Sequence, residues 1–303
     1  MKIYDNGLIK SLKRMNALKF SDGFLDLRSF PTEVLGYYGA SNNVEKVKFQ
    51  EDTYYKKFFK VFRSPYADAE ILSSQLFNNA GIKSATYLPV YDREGLCVYC
   101  DDLGVDNENK FVASEYINKV VQEMFENKEI GPKGIFHTTR DMENIFNKEN
   151  NQFANGLTYY AKRQLIKARI LQIIVQNNDN STRNMVYVLG KDGKIVDINV
   201  LDNEMSSISY SGLQLFDRYY FNDFSPEQIK GKVLIQTIMT SPLIAQFFEK
   251  KALHDFAHTL LDDIDVKEIA KEFKENFGYE IDHYYVIMMQ EAKENVANDI
   301  LSM

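Results

Sequence analysis

The chain has 303 residues, of which 45% are hydrophobic and 26% charged, and its net charge is −7. This composition is ordinary for a globular protein and excludes a disordered, collagen-like or disulfide-scaffold chain. The length suits one large domain or two lobes. The scarcity of Gly (15) and Pro (6) argues against an all-β protein with many tight turns. Neither half is basic enough to predict a nucleic-acid-binding surface.

The sequence carries no sign of secretion or membrane insertion. Its first residues contain no apolar region of signal-peptide length, and no run approaches the roughly 18 apolar residues that cross a bilayer. Two cysteines fit a reducing compartment. We therefore expect a cytoplasmic protein with no membrane partner.

The first 105 residues are predicted to form strands around one helix. Val47 and Phe49 alternate with charged neighbours, residues 51–53 resemble a turn, and residues 54–62 form a second strand in which Phe58 and Lys60 share one face. This pattern predicts a β-hairpin.

A helix is predicted directly after this hairpin. Ser64 and Pro65 are favourable residues for a helix start, and apolar residues then follow at helical spacing as far as Gly81, a natural end. Strands at 85–91 and 96–100, joined by a turn at 92–95, come next.

From about residue 105 onward the pattern is mainly helical, with one hairpin formed by 185–189 and 194–201. The predicted helices span 114–128, 138–148, 157–176, 226–250, 264–276 and 282–301. Strands followed by helices predict an α+β fold with two lobes. The N-lobe would comprise residues 1–105 and the C-lobe residues 106–303.

Three polar residues stand where they can serve phosphoryl transfer. Asp179 and Asn184 lie in a polar loop between the helix at 157–176 and the hairpin, and Asp202 ends the hairpin 18 residues after Asn184. Carboxylate and amide oxygens suit Mg²⁺. In phosphoryl transfer, the first Asp would orient a hydroxyl group while Asn184 and Asp202 hold the metal on the phosphates.

The N-lobe supplies a matching half of this site. Lys60 is predicted to lie within a strand, where a lysine usually meets a partner, and Glu70 stands ten residues later in the first turns of the helix. A strand lysine paired with a helix glutamate holds the phosphates in kinases. The small and polar turn at 36–43 precedes a strand, and its backbone amides suit phosphate binding.

The order of these motifs resembles the HipA-like protein kinases, and most closely their small CtkA-like members. The resemblance covers roughly residues 36–210 and implies a protein-kinase-like fold with a β-rich N-lobe and a mainly helical C-lobe. It implies that Lys60 contacts the phosphates, Glu70 pairs with Lys60, Asp179 is the catalytic base, and Asn184 and Asp202 bind Mg²⁺. The implied ATP-binding residues are Gly39, Ala40, Ser41, Asn42 and Asn43 over the phosphates and Tyr99, Cys100, Asp101 and Leu103 in the hinge that receives adenine.

The resemblance implies ATP- and Mg²⁺-dependent phosphorylation of Ser or Thr in a protein substrate. Family members often act as toxins held in check by a partner, so a cognate inhibitor protein is expected, and Ser41 is a candidate autophosphorylation site. The chain departs from the family at Ser181, where His is usual, and at Asn203 and Glu204, where a Gly-containing turn is usual. A pseudokinase scaffold that binds nucleotide and a partner is the alternative. A small-molecule or lipid kinase is a third hypothesis.

Two other patterns are weighed against this function. Cys97 and Cys100 match C-x-x-C, but on a strand their side chains would face opposite sides, which argues against a redox pair. His254, His258 and Asp262 would share a helical face, which a partly buried helix explains better than a metal site.

Overall fold

The computed structural model describes residues 6–38, 44–58, 65–103, 109–112, 156–175, 184–201 and 250–302. The helices in these segments are α1 (Gly7–Arg14), α2 (Pro65–Asn79), α3 (Tyr159–Ile174), α4 (Lys250–His258), α5 (Val266–Phe277) and α6 (His283–Leu301), with a π-helical turn at Thr259–Asp263. The strands are β1 (Phe20–Ser21), β2 (Phe24–Asp26), β3 (Glu33–Tyr38), β4 (Val44–Phe49), β5 (Asp52–Phe58), β6 (Tyr87–Tyr91), β7 (Leu96–Asp101), β8 (Lys110–Val112), β9 (Met185–Leu189) and β10 (Ile195–Val200).

Seven strands form one sheet in the N-terminal part of the chain, in the order β1-β2-β6-β7-β5-β4-β3. Strands β3, β4 and β5 are an antiparallel meander, and β5 also pairs antiparallel with β7. Only the β2–β6 neighbours in this sheet are parallel. The predicted hairpins β4–β5 and β6–β7 are both confirmed.

The middle of the sheet is buried on both faces, since four consecutive residues are buried in each of β6 and β7. Along β4, only the face that carries Val47 and Phe49 is buried, and the other face is partly exposed. Helix α1 approaches one face, where Gly7 lies against Tyr54 and Asp101. Helix α2 covers the other face. A sheet buried on both sides can hold side chains on either face away from water, including charged ones if they are paired.

Helix α2 confirms the helix predicted from residue 65. Every side chain from Ala67 to Asn78 is buried, because one side of the helix faces the sheet and other sides meet α3, α5 and α6. The helix ends as predicted at Gly81, whose positive φ of 79° suits a residue without a Cβ atom, and the Ile82 N–H donates back to the Phe77 carbonyl at 2.9 Å.

The later part of the described chain combines a small sheet with helices. Strands β10, β9 and β8 form a three-stranded antiparallel sheet, and α3 packs on β10. The predicted hairpin and the helices at 157–176, 264–276 and 282–301 are confirmed, and α4 is the helix expected to carry His254 and His258. The helices predicted at 114–128 and 138–148, most of that at 226–250, and the boundary at 105/106 lie outside the described residues.

Among the helices in the described segments, none combines the length and apolar character that a membrane crossing requires.

Candidate functional site

A buried ion pair joins the sheet to helix α2. The Lys57 Nζ atom on β5 lies 3.4 Å from Glu70 Oε2 on α2. The Lys57 residue is 4% exposed and Glu70 is fully buried. Two charges removed from water remain stable only when they compensate each other and find hydrogen bonds. The pair therefore fixes the position of α2 relative to β5.

The sequence analysis assigned the partner of Glu70 to Lys60, three residues after Lys57. Lys60 lies outside the described residues, so its assignment stays a prediction. Strand alternation explains why Lys57 meets Glu70, because successive side chains of β5 point to opposite faces of the sheet. Lys57 points toward α2, whereas Lys56 and Phe58 point to the other face, where the Lys56 Nζ atom lies 4.0 Å from the Phe58 ring centroid.

The Lys57–Glu70 pair lies among residues of the neighbouring strands. The Nζ atom of Lys57 is 5.3 Å from the ring centroid of Tyr87 on β6. Cys100 on β7 stands opposite Tyr55 and Tyr87 in the sheet and so faces the same side as Lys57. Burial raises the pKa of the Cys100 thiol far above its ordinary value, so this thiol stays protonated.

The predicted hinge residues lie in the last half of β7 and just after it. Tyr99 points to the face away from Lys57, where its hydroxyl donates to Asp92 at 3.1 Å. Asp101 points the same way and accepts a hydrogen bond from Asn6 Nδ2 at 3.0 Å. Leu103 is buried, and its carbonyl accepts from Lys110 Nζ at 2.6 Å. The side chains of Tyr99 and Asp101 therefore brace the strand from the other face, whereas Val98 and Cys100 face the same side as Lys57.

Burial also raises the pKa of the Asp101 carboxyl, to about 6, while a hydrogen bond from the Gly7 N–H acts in the opposite direction. This carboxyl lies beside the N-terminus of α1, where negative charge is favoured. Asp101 therefore ties the end of β7 to the start of α1, on the face of the sheet away from Lys57.

Lys46 and Tyr55 form a second feature on the Lys57 side of the sheet. They are direct cross-strand partners on β4 and β5. The Lys46 Nζ atom is 5.5 Å from the Tyr55 ring centroid and 3.3 Å from Asp102 Oδ2, immediately after β7. Lys46 thus connects β4 to the end of the predicted hinge, between Asp101 and Leu103. Lys46 was not among the predicted site residues.

The β9–β10 hairpin brings Asn184 next to the residue that precedes Asp202. Val200 and Met185 are direct partners, and the Leu201 N–H donates to the Asn184 carbonyl at 2.8 Å. Asn184 is buried. Asn184 therefore lies beside the last described residue of the hairpin, Leu201, while Asp202 lies outside the described residues.

The same end of the hairpin is tied to the loop that follows α2. The Val200 N–H donates to the Lys83 carbonyl at 2.8 Å, and Asn78 Nδ2 on α2 donates to the Ser84 carbonyl at 3.1 Å. Gln164 Nε2 on α3 donates to the Gly81 carbonyl at 3.0 Å. These hydrogen bonds connect the element that bears Glu70 to the element that bears Asn184.

Several predicted site residues lie outside the described part of the chain: Gly39, Ala40, Ser41, Asn42, Asn43, Lys60, Asp179, Ser181 and Asp202. Within the described part, Glu70 and Cys100 lie on the α2 side of the sheet, and Leu103 is buried just after β7. Lys57, Tyr55 and Lys46 are the residues that sequence reasoning missed. Strand alternation separates Lys57 from Phe58, but only the packing of α2 shows which of the two faces meets Glu70.

The remaining two patterns are the C-x-x-C pair and the helical face with His254, His258 and Asp262. Cys97 pairs with Phe58 and Cys100 with Tyr55, so the two thiols face opposite sides of the sheet, as expected. Burial raises the pKa of Cys97 as well. Within the described ranges no group of three or more potential metal-ligating side chains comes together.

Comparison with known proteins identifies the fold. No family model matches the sequence, and no curated protein matches it either. The proinflammatory kinase CtkA of Helicobacter pylori is structurally similar, with a TM-score of 0.54 at 12% identity over 91% of this chain and 98% of that one. HipA of Shewanella oneidensis MR-1, solved with HipB and operator DNA, gives a TM-score of 0.44 at 10% identity, covering 97% of this chain and 72% of that one.

The choline kinase LicA of Streptococcus pneumoniae is also among the matches, with a TM-score of 0.28 at 13% identity over 97% of this chain and 99% of that one. The similarity to CtkA shows that the chain has a protein-kinase-like α+β fold, and the expected resemblance to the CtkA-like and HipA-like kinases is confirmed at the level of the fold.

Proposed function

We propose that the chain is an ATP- and Mg²⁺-dependent phosphotransferase that phosphorylates Ser or Thr of a protein substrate. The observation that carries the proposal is the buried Lys57–Glu70 pair, on the strand and the helix where a kinase fold needs a phosphate-binding lysine. The protein-kinase-like fold supports phosphotransfer in general. Protein as the substrate class, a toxin or effector role and a cognate inhibitor protein rest on the motif resemblance.

In this proposal Lys57, rather than Lys60, donates to the phosphates of ATP. Glu70 orients the Lys57 ammonium group and holds it charged within a buried environment. Lys57 then places positive charge where negative charge accumulates on the phosphates during transfer. Such preorganised charge is commonly the largest contribution to catalysis.

The base of ATP is proposed to bind between the hinge at Cys100–Leu103 and the Tyr55 side of the sheet. Tyr55 offers a flat apolar surface for a purine, and the Lys46–Asp102 pair closes the gap between β4 and the hinge. The turn from Gly39 to Asn43, which joins β3 to β4 in sequence, would cover the phosphates with its backbone amides.

Asp179 is proposed to accept the proton of the attacking hydroxyl, and Asn184 and Asp202 to hold Mg²⁺. The donor set of the hairpin end fits the metal because an amide and a carboxylate oxygen are hard ligands. When bound, Mg²⁺ supplies neutralising charge on the phosphates. The hydrogen bond from Leu201 to Asn184 supports this assignment, because it keeps the two ligand-bearing ends of the hairpin together.

The experiment that tests the proposal is phosphate transfer from γ-labelled ATP with Mg²⁺, to the chain itself and to a generic protein acceptor. We expect Asp179→Asn and Lys57→Met each to lower the rate by at least about 10²-fold, because each removes a group that acts on the transferring phosphate. Ser181→Ala is the matched control for Asp179→Asn, with an expected change within threefold.

Two outcomes would contradict the proposal. Equal transfer by wild type and Asp179→Asn would remove Asp179 from the mechanism. Absence of transfer by the wild type, with ATP binding that depends on Lys57, would favour the pseudokinase scaffold, for which the departures at Ser181 and Asn203 are the motivating observation. Transfer to a small-molecule alcohol but to no protein would replace the substrate class.

A further inference from the structure

The helix that carries Glu70 is also held from its other side, by the C-terminal region. Asp68, two residues before Glu70 in the first turn of α2, is a buried carboxylate. One of its oxygens accepts from the Tyr279 hydroxyl at 2.5 Å, and the other accepts from the Asp282 N–H at 3.1 Å. These contacts join residues more than 200 positions apart in sequence.

The segment that makes these contacts is the short link between α5 and α6, and it is itself tightly held. Its first residue, Gly278, ends α5 with a positive φ of 67°. A Cβ atom on Gly23, in the β1–β2 turn, would lie only 2.6 Å from the Gly278 carbonyl oxygen. The backbone of the link therefore lies directly against the N-terminal hairpin.

Tyr279 is locked in place by aromatic neighbours. Its ring packs edge-to-face on Phe24 of β2 at a centroid distance of 5.4 Å and on Phe273 of α5 at 6.0 Å. The Tyr279 residue is 2% exposed. A buried ring with fixed neighbours presents its hydroxyl to Asp68 in one position, so the hydrogen bond acts as a rigid contact.

Asp68 and Glu70 point to different sides of α2, because two residues correspond to about 200° of rotation around a helix. Glu70 faces Lys57 on the sheet, whereas Asp68 faces the α5–α6 link. The helix is therefore held between two polar contacts on different sides. A shift or rotation of α2 that loosened one contact would also disturb the other.

We infer that the contacts of Asp68 with Tyr279 and Asp282 set the position of Glu70, and through it the position of Lys57. Asp68 and Tyr279 are then positioning residues of the phosphate site. The α5–α6 link contributes to this positioning from the C-terminal part of the chain. This inference rests on the proposed function. It adds that the C-terminal helices are required for an aligned lysine, because small misplacements of a catalytic group cost large factors in rate.

The first test is the kinetics of Tyr279→Phe, which removes a single hydroxyl and keeps the aromatic packing. We expect kcat for phosphate transfer to fall about tenfold, since the aligned fraction of Lys57 falls, with a smaller change in KM for ATP. In the Glu70→Gln background, where the ion pair is already weakened, the same substitution should change kcat less than twofold.

A matched control separates positioning from general destabilisation. Lys293 on α6 is buried and donates to the Ile264 carbonyl, so Lys293→Met also removes a buried polar contact between C-terminal elements. This hydrogen bond does not involve α2, so the variant should lower the melting temperature while keeping kcat within twofold. A kcat of Tyr279→Phe within twofold of wild type, or an equal loss of kcat in the Lys293→Met variant, would overturn the inference.

A second measurement does not depend on activity. Amide hydrogen exchange should be faster in α2 of Tyr279→Phe than in α2 of the wild type, with β6 and β7 unchanged. Unchanged exchange in α2 would overturn the positioning role whatever the activity. Faster exchange in α2 together with an inactive wild type would support the role of Tyr279 in holding the helix and would refute the proposed function instead.

Discussion

Lys56 and Lys57 are neighbours on β5 and both are buried, yet the two faces of the sheet give them different surroundings. Lys56 Nζ lies 2.7 Å from Asp92 and 3.5 Å from Glu45, and it also pairs with Glu94. Lys57 faces the helix that carries Glu70. Two adjacent residues of the same type therefore take part in separate charge networks.

The difference separates a structural lysine from a candidate functional one. Burial alone would lower the pKa of Lys56, but hydrogen bonds to Asp92 and Glu94 outweigh it and raise that pKa. The three carboxylates around Lys56 carry more negative charge than the ammonium group compensates, so a further anion would be repelled there. Lys57 instead faces Glu70 and Tyr87, on the side of the sheet for which we propose nucleotide binding.

The largest expected effect comes from breaking the Lys56 network. Lys56→Met leaves Asp92 and Glu45 buried beside each other without a cation, so we expect the free energy of unfolding to fall by about 3–5 kcal/mol. Denaturant unfolding at neutral pH measures this change. Lys48→Met, on the adjacent strand β4 and only partly buried, is the matched control, with an expected change of about 0.5 kcal/mol or less.

The rate of phosphate transfer by Lys56→Met tests whether the two faces of the sheet have separate roles. At a temperature where Lys56→Met is folded, kcat should stay within twofold of wild type, because Lys56 faces away from the proposed phosphate site. A loss of transfer comparable to that of Lys57→Met, in fully folded protein, would show that the two faces are not functionally separate.

A smaller effect is expected at Asp101, on the Lys56 face behind the hinge. Its pKa is raised to about 6 in the folded chain, above the ordinary value of 3.8. Between about pH 4 and pH 6 the Asp101 carboxyl is therefore protonated in the folded state but ionised in the unfolded state. The free energy of unfolding falls as the pH rises through this window, because ionisation then favours the unfolded state. Above about pH 6 the loss is complete.

Asp101→Asn removes this titration. The free energy of unfolding of the wild type should therefore fall more between pH 4.5 and pH 7 than that of the variant. Denaturant unfolding at the two pH values measures the difference. Asp192→Asn, in the exposed β9–β10 turn, is the control. An identical difference between the two pH values in wild type and Asp101→Asn would contradict the assigned pKa shift.

Much of the fold could be predicted from local patterns. The alternation in β4, the Ser-Pro start and Gly81 end of α2, and the glycine-containing turn of the β9–β10 hairpin are each written in a few neighbouring residues. The pairing of Asn184 with the strand end before Asp202 followed from the same hairpin. Local signals of this kind specify secondary structure well.

The part that was missed depends on contacts distant in sequence. Consecutive lysines such as Lys56 and Lys57 usually signal a solvated segment, and only a sheet covered on both faces buries both. Lys60, with apolar neighbours, was therefore the better candidate from sequence. The Asp68–Tyr279 contact spans 211 positions and leaves no local pattern in either segment.

The most direct test of the central claim is chemical labelling of the lysine beside the phosphates. An ATP derivative with an acyl group on its γ-phosphate transfers that group to a nearby amine, forming an amide and releasing ATP. Mass spectrometry of the wild-type chain would then locate the acylated lysine, with excess ATP and Mg²⁺ as competitor. The account predicts ATP-protected acylation of Lys57, with Lys56 and Lys60 not labelled in an ATP-protected manner. ATP-protected acylation of Lys60 with Lys57 unmodified would contradict it.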